Sequence, residues 1–173
     1  MSESAQLKTG GKEDLEKLSK MINGISFAML TTQDSEGKMH SRPMVTRDME
    51  CEDGSLWFLT RESTGKVRQI HETQIVNVAF SDPKNQSYVS ISGRAECTKD
   101  KEKIKQLWNP MYKAWFPQGM DDPEVTAIRV VVDEAEYWDS PSSTVAHLYG
   151  YAKAMITGTP AHPGDHAKVA VST

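Results

Sequence analysis

This sequence has no long hydrophobic run, no excess of positive charge and only two cysteines. Each of these shortages excludes a class of protein. No apolar run approaches the ~20 residues that a helix needs to cross a bilayer. The net charge of −4 argues against a general binder of nucleic acid or membrane surfaces, because both need a basic face. Cys51 and Cys97 are too few for a disulfide framework or a cysteine zinc site. The N-terminus is polar and has no hydrophobic signal segment, so we expect a cytoplasmic protein.

The length of the chain predicts one compact domain. With 173 residues, 25% of them charged and 38% hydrophobic, the composition is that of a globular protein with a substantial core. We expect a flexible N-terminal arm over residues 1–12 and a folded domain over residues 13–156. Residues 157–173 contain Pro160, Pro163 and Gly164, and we expect them to form a flexible C-terminal tail.

Six segments have the residue pattern of β-strands. They are rich in β-branched and aromatic residues, or alternate between apolar and polar residues, and turn signals separate most of them. Pro43 in the second segment predicts an edge or a bulge there. The segments are residues 25–32, 39–49, 56–61, 74–80, 88–95 and 125–138. Because most are joined as hairpins, we predict a mainly β fold, a small antiparallel barrel flanked by helices.

Helical patterns are short and lie between these strands. Leu15, Leu18 and Ile22 form one apolar stripe over residues 13–23, and Gly24 is a suitable helix stop. Further helices are predicted over residues 63–71, 100–108 and 144–155. Residues 111–124, which include Trp115 and Phe116, are predicted to be irregular.

Residues 58–66, with the sequence FLTRESTGK, are the strongest functional signal in the chain. They predict a strand that ends at the start of a helix, where free N–H groups and the helix dipole favour an anion. Ser63, Thr64 and Lys66 add donors and a positive charge, so a phosphate would fit. The alternative is that Ser63 is only an N-cap and Lys66 a solvated side chain, since caps are commoner than phosphate sites.

The order of motifs resembles the flavin-binding split-barrel proteins related to pyridoxamine 5′-phosphate oxidase, and most closely the general stress protein 26 group. Four stretches of the sequence carry this resemblance, which covers residues 13–140. They are residues 41–44, residues 57–66, residues 88–93, and a late tryptophan-rich block of residues 107–110, 115–119 and 136–139.

The resemblance implies a six-stranded antiparallel split β-barrel that forms a homodimer, with FMN bound at the interface. By this resemblance Arg42 approaches the phosphate or the ribityl chain, while Ser63, Thr64 and Lys66 hold the phosphate. Trp138 reaches the flavin of the partner chain. The other implied flavin contacts come from the second and third strands, at Pro43, Met44, Val45, Leu59 and Thr60.

The implied function is that of an FMN-binding general stress protein, with flavin-dependent oxidoreductase activity on a substrate that we do not identify. Oxidases of vitamin B6 synthesis carry an Arg-x-His pair beyond the late tryptophan, whereas residues 140–147 here read SPSSTVAH. We therefore do not expect oxidation of pyridoxamine phosphate. No residue is assigned as catalytic. A non-catalytic flavin sensor or store is the alternative, and a haem-binding relative is a weaker one, since no histidine has an obvious axial position.

Several other residues have two possible roles. Trp108, Trp115 and Phe116 could line the open face of the flavin or pack in a core or interface. Arg47 could reach the phosphate or face water, and water is the more usual environment of an arginine, whereas Arg61 and Arg68 are interpreted as surface charges. His162 and His166 have metal-ligand spacing, but no predicted helix supports them, so we expect no metal site. Asp121 and Asp122 are interpreted as turn residues.

Overall fold

A computed structural model describes residues 7–10, 12–46, 54–139 and 165–171, which include eight strands and three α-helices. The strands are β1 (Leu7–Gly10), β2 (Phe27–Gln33), β3 (Met39–Val45), β4 (Ser55–Arg61), β5 (Ile75–Asp82), β6 (Ser87–Thr98), β7 (Val125–Asp139) and β8 (Asp165–Val171). The helices are α1 (Lys12–Ile22), α2 (Gly65–Glu72) and α3 (Lys101–Leu107), with two 3₁₀ helices at Pro110–Ala114 and Gly119–Asp121.

The strands form one sheet in the order β1-β8-β7-β6-β5-β2-β3, and β4 pairs separately with β7. All pairings are antiparallel except that of β1 with β8. The 15-residue strand β7 makes this arrangement possible: Val125–Val131 pair with β4, and 134–139 pair with β8. Because β7 has different partners along its length, the sheet can bend around the core.

The prediction of a mainly β, antiparallel fold is confirmed, and β2 to β7 correspond to the six predicted strands. The number of strands differs, because β1 and β8 add a parallel pair at one end of the sheet. These strands lie where a flexible arm and a flexible tail were expected, so that expectation is corrected for residues 7–10 and 165–171. Val169 is fully buried in the core, and this burial explains why its segment is ordered. The helix predicted over residues 144–155 lies outside the described residues.

Two apolar clusters fill the fold. The larger one joins the inner face of the sheet to α1, whose predicted stripe of Leu15, Leu18 and Ile22 is buried in it. The smaller cluster joins β4, α3, the first 3₁₀ helix and the start of β7. Its buried residues are Trp57, Leu59, Ile104, Leu107, Tyr112, Phe116, Val125 and Ala127. This second cluster fixes residues 108–121, here named the aromatic segment, against the end of β4. Among the described residues, no helix is long and apolar enough to cross a membrane.

Gly93 is required by a bulge between β6 and β7. The pairing register shifts between Ser92 and Gly93, and the two backbones approach closely at that point. A Cβ at Gly93 would lie 2.2 Å from the carbonyl oxygen of Val131, whereas a Cβ at Gly65 would have no heavy atom within 4 Å.

We therefore expect Gly93→Ala to lower the free energy of unfolding by about 1–3 kcal/mol, the usual cost of overpacking. Gly65→Ala is the matched control, and it should leave that free energy unchanged or raise it by up to about 1 kcal/mol. Urea unfolding followed by circular dichroism measures both values. Equal effects of the two substitutions would contradict the assigned backbone contact.

Candidate functional site

A cleft of about 330 Å³ lies between β3, β4, the start of α2 and the aromatic segment. Pockets that bind small molecules and cofactors usually have a volume of ~300–1,000 Å³. Strands β3 and β4 form one side of this cleft and the aromatic segment forms the other. Its lining residues are Phe27, Pro43, Met44, Val45, Leu59, Thr60, Arg61, Thr64, Lys66, Tyr112, Trp115 and Phe116.

One end of the cleft is cationic because of Lys66. Its Nζ donates to Thr60 Oγ1 at 2.9 Å and to Thr64 Oγ1 at 3.3 Å. The two hydroxyls hold the ammonium group at the junction of β4 and α2, half-buried beside the cleft. Both acceptors are neutral, so these contacts orient the charge of Lys66 without neutralising it.

Arg42 is held beneath this end of the cleft by a buried polar network. Its Nη1 donates to Thr32 Oγ1 at 2.6 Å, and its Nη2 donates to Gln69 Oε1 at 3.1 Å. Thr32 also donates to Gln69 Oε1 at 2.6 Å. Thr32 and Gln69 are both buried, so the network joins β2, β3 and α2 through groups that have few other partners.

The two cations are partly desolvated and close enough to repel each other. Burial lowers the pKa of the Arg42 guanidinium, and burial together with the charge of Arg42 lowers the pKa of the Lys66 ammonium. Within the described part of the chain, neither side chain has a carboxylate partner. An anion placed here would relieve the repulsion and favour the charged form of Lys66.

The hydrogen bonds at the start of α2 differ from those of the Ser63 N-cap that the sequence offered as an alternative. Thr64 is the N-cap by backbone position, but its hydroxyl donates to the Arg61 carbonyl oxygen at 2.8 Å and does not cap the helix. The hydroxyl and backbone N–H of Ser63 both donate to the Glu124 carboxylate. These hydrogen bonds lower the pKa of Glu124. Ser63 therefore contacts a carboxylate of its own chain, whereas Thr64 and Lys66 line the cleft.

The remainder of the cleft is apolar and aromatic. Met44, Leu59 and Phe116 are buried, while Phe27 and Trp115 are exposed at its opening. Hydrogen bonds from the end of β4 reach the aromatic segment at Trp115 and the chain just after it at Glu124. Arg61 Nη1 donates to the Trp115 carbonyl oxygen at 3.1 Å, and Glu62 N–H donates to the Glu124 carbonyl oxygen at 2.8 Å.

The structure brings most of the sequence-predicted flavin contacts together at this cleft. Seven of them line it, and Arg42 lies below its cationic end. Ser63 and Trp138 do not line it. Trp138 lies on β7 and stacks on His166, with their ring centroids 5.2 Å apart. The seven lining residues are Pro43, Met44, Val45, Leu59, Thr60, Thr64 and Lys66.

Three lining residues, Phe27, Arg61 and Tyr112, were not identified from the sequence, which indicated a surface charge for Arg61. Phe27 is the first residue of β2, where the sequence shows only a strand pattern. Tyr112 belongs to a segment predicted as irregular, although the spacing of its aromatic residues was a usable signal. The tilted rings of Tyr112 and Phe116 both contact Trp108, which packs behind the cleft. Trp115 and Phe116 line the cleft, as one of the two sequence interpretations allowed.

The other candidate residues have structural contacts. His166 shares a hydrogen bond with Glu136 at 2.7 Å, and the described residues contain no group of metal-ligating side chains. Asp122 Oδ1 accepts from Glu124 N–H at 3.0 Å, as expected for a turn residue. Arg61 lines the cleft, whereas Arg68 is exposed on α2 and pairs with Glu72. Arg47, Cys51 and His162 lie outside the described residues.

An antiparallel bent sheet and an apolar-walled cleft with a cationic end define this chain as a small β-protein with a cleft of ligand size. The sequence profile of the family described as pyridoxamine 5′-phosphate oxidase like matches residues 13–162. The chain belongs to this family.

Known relatives agree with this assignment. Protein bli-3 of Neurospora crassa is 30% identical over 158 residues, which are 86% of this chain and 76% of that protein. The structure of a general stress FMN/FAD binding protein from Xanthomonas citri has 30% identity and a TM-score of 0.65, covering 77% of this chain and 93% of that one. A structure described as general stress protein 26 from Jannaschia sp. CCS1 has 24% identity and a TM-score of 0.74, covering 91% and 99%.

Cys97 is half-buried on β6 and does not line the cleft. Burial, together with the nearby charges of Glu62 and Glu96, raises the pKa of its thiol to about 11. Because the thiolate is the nucleophile, Cys97 should be unreactive at neutral pH.

In a Cys51→Ser background, alkylation of Cys97 by iodoacetamide should be slow at pH 8 and should rise with a midpoint near the pKa of about 11. Mass spectrometry measures the rate at each pH, and free N-acetylcysteine is the control thiol. A midpoint near 9.0, the ordinary value, would contradict the assigned environment.

Proposed function

We propose that this protein binds FMN in the cleft, with the phosphate at Lys66 and Arg42, and that it is a flavin-dependent oxidoreductase. One observation carries the proposal: two half-buried cations without a carboxylate partner in the described residues lie at one end of an apolar, aromatic cleft. That arrangement suits a ligand with an anionic tail and a flat, largely apolar ring.

The proposed phosphate site combines the positive charges of two side chains with hydrogen-bond donors whose positions are fixed. Lys66 contributes its ammonium group, and Arg42 adds a second positive charge held by Thr32 and Gln69. Charge-assisted hydrogen bonds of this kind are roughly twice as strong as neutral ones. Thr64 adds a hydroxyl at the start of α2. Ser63 has a smaller part in this proposal, because its hydroxyl already donates to Glu124.

The proposed site for the flavin ring lies at the edge of the sheet. Strand β3 is the last strand of the hydrogen-bonded order, and Pro43 lies in its middle, opposite Met29 of β2. Backbone N–H and C=O groups on the open side of β3 are therefore available to a ligand. Leu59 of β4 and Phe116 of the aromatic segment add apolar contact surface.

Two features favour FMN over FAD. The terminal phosphate of FMN is a dianion and matches a pair of cations, whereas FAD has only singly charged internal phosphates. The cleft volume of about 330 Å³ also suits a mononucleotide better than a dinucleotide. The relative from Xanthomonas citri, described as FMN/FAD binding, supports a flavin of either kind.

When bound, the isoalloxazine ring would supply the redox chemistry. The described residues that line the cleft include no Asp, Glu, His or Cys, so the described part of the chain offers no side chain of those kinds as a proton donor or acceptor there. Its own contribution is to bind the phosphate, orient the ring and exclude water with Tyr112, Trp115 and Phe116.

The same lack of acid and base groups favours a second candidate, a flavin store or sensor without turnover. Bleaching of the flavin by NADPH in anaerobic buffer would favour the oxidoreductase.

A homodimer is proposed because one face of the sheet carries an apolar patch. Phe27, Met29, Ile75, Tyr88 and Trp138 have relative exposures between 41% and 71%. The strand register places them on one face, since Met29 pairs with Ala79, Ala79 with Ser90, and Tyr88 with Trp138. Contiguous exposed apolar surface usually marks an interface. Phe27 belongs to both the patch and the cleft, so this interface would border the flavin.

Lys66→Ala should weaken FMN binding by about 1.5–3 kcal/mol, because it removes a hydrogen bond to a charged group. This loss corresponds to a roughly ten- to hundredfold higher dissociation constant in a fluorescence titration. Arg68→Ala is the control, since it removes an exposed cation from the same helix and should leave the constant unchanged. An unaltered dissociation constant in Lys66→Ala would remove the phosphate assignment.

Trp138→Ala should change the fluorescence of bound FMN, because Trp138 of one chain is proposed to contact the flavin of the other. Met120→Ala, at an exposed methionine outside the patch and the cleft, should leave the emission unchanged. Sedimentation equilibrium of wild-type protein should give a dimer. A monomer that binds FMN equally tightly, or identical spectra for both variants, would argue against a site at the interface.

A further inference from the structure

A second cavity, of about 170 Å³, adjoins the cleft. Val45, Tyr112 and Trp115 line both cavities, so these three residues form the partition between them. Ser26, Thr46, Asn109 and Met111 complete the second cavity. Its volume is about half that of the cleft, so it can hold a ring-sized molecule but not a nucleotide.

The polar groups of this second cavity include a hydrogen-bond donor. Asn109 Oδ1 accepts from the Met111 N–H at 2.9 Å and caps the first 3₁₀ helix. Among the described residues, no group accepts from the Asn109 amide nitrogen. The Thr46 hydroxyl donates to the Ile25 carbonyl oxygen and is already engaged. A ligand in this cavity would therefore meet an amide donor and should carry an acceptor.

The charge and shape of the second cavity further restrict the class of ligand that it can bind. Among the described residues, no lysine, arginine, histidine, aspartate or glutamate lines the second cavity, so no described side chain there offsets the desolvation of an ion. Val45, Met111 and Trp115 supply apolar surface, and an indole beside a small cavity favours a flat ring. A neutral ring that bears a carbonyl oxygen satisfies all of these conditions.

We propose that the second cavity binds a small neutral carbonyl compound of the quinone class, with Asn109 donating to its carbonyl oxygen. The partition residues place this molecule beside the occupant of the cleft, where the proposed function puts the flavin. Its binding to the cavity does not depend on that function. Trp115, which contributes to both cavities, separates the two ligands.

Isothermal titration with tetramethyl-1,4-benzoquinone tests the proposal, because its four methyl groups block addition of thiols to the ring. Wild-type protein should bind one quinone per chain, with the same or higher affinity when FMN is saturating. Competition between the quinone and FMN would place the quinone in the cleft and would overturn the proposal. The charged ring compound 4-methylbenzoate should bind much more weakly than the quinone, and equal binding would also overturn it.

The substitution Asn109→Asp tests the amide donor of Asn109 separately from its role as a helix cap. An aspartate keeps the acceptor for the Met111 N–H but removes the amide donor, so quinone affinity should fall about five- to tenfold. FMN affinity should stay within about twofold, since Asn109 does not line the cleft. Unaltered quinone affinity in this variant would remove Asn109 from the site.

Met111→Trp should abolish quinone binding by filling the second cavity. Met120→Trp is the matched control, because Met120 is also an exposed methionine of the aromatic segment but lines neither cavity. Equal quinone binding in both variants would overturn the proposal. Quinone binding without FMN binding in wild-type protein would refute the proposed flavin function alone, whereas FMN binding without quinone binding would refute this inference alone.

Discussion

The candidate site depends on one constraint: two positive charges are held close together, and neither has a carboxylate partner among the described residues. Arg42 donates to Thr32 and Gln69, and Lys66 donates to Thr60 and Thr64, so neutral oxygens hold both cations. A salt bridge would have neutralised these charges within the protein. Because burial lowers the pKa of both groups, an anionic ligand would gain more from this pair than from exposed lysines.

The fold positions this pair through contacts between elements that are distant in the sequence. The network around Arg42 ties together β2, β3 and α2, which gives the cleft a rigid end. On the opposite side, Arg61 and Glu62 donate to backbone oxygens of Trp115 and Glu124. The aromatic segment is built of two short 3₁₀ helices, and these contacts together with its buried side chains fix the second side of the cleft.

Membership of the pyridoxamine 5′-phosphate oxidase-like family sets the fold and leaves the reaction open, because function depends on the site and not on the fold. The cationic end of the cleft is the part that we propose binds a flavin phosphate. The Arg-x-His pair of the vitamin B6 oxidases has no counterpart in residues 140–147 of the sequence. The second cavity is lined by neutral groups, which would suit a neutral partner and not a phosphorylated one.

The sequence by itself was sufficient to predict the six central strands, the apolar stripe of α1 and the junction of β4 with α2. These features depend on local periodicity and turn chemistry, which a single segment contains. It was not sufficient for β8, because the burial of Val169 depends on pairing with β7 rather than on its own segment. Only the tertiary structure decided that Ser63 contacts Glu124 and that Phe27 and Tyr112 line the cleft. The contact between Ser63 and Glu124 joins residues 61 positions apart, and such pairings arise from the packing of whole elements, on which local sequence carries no information.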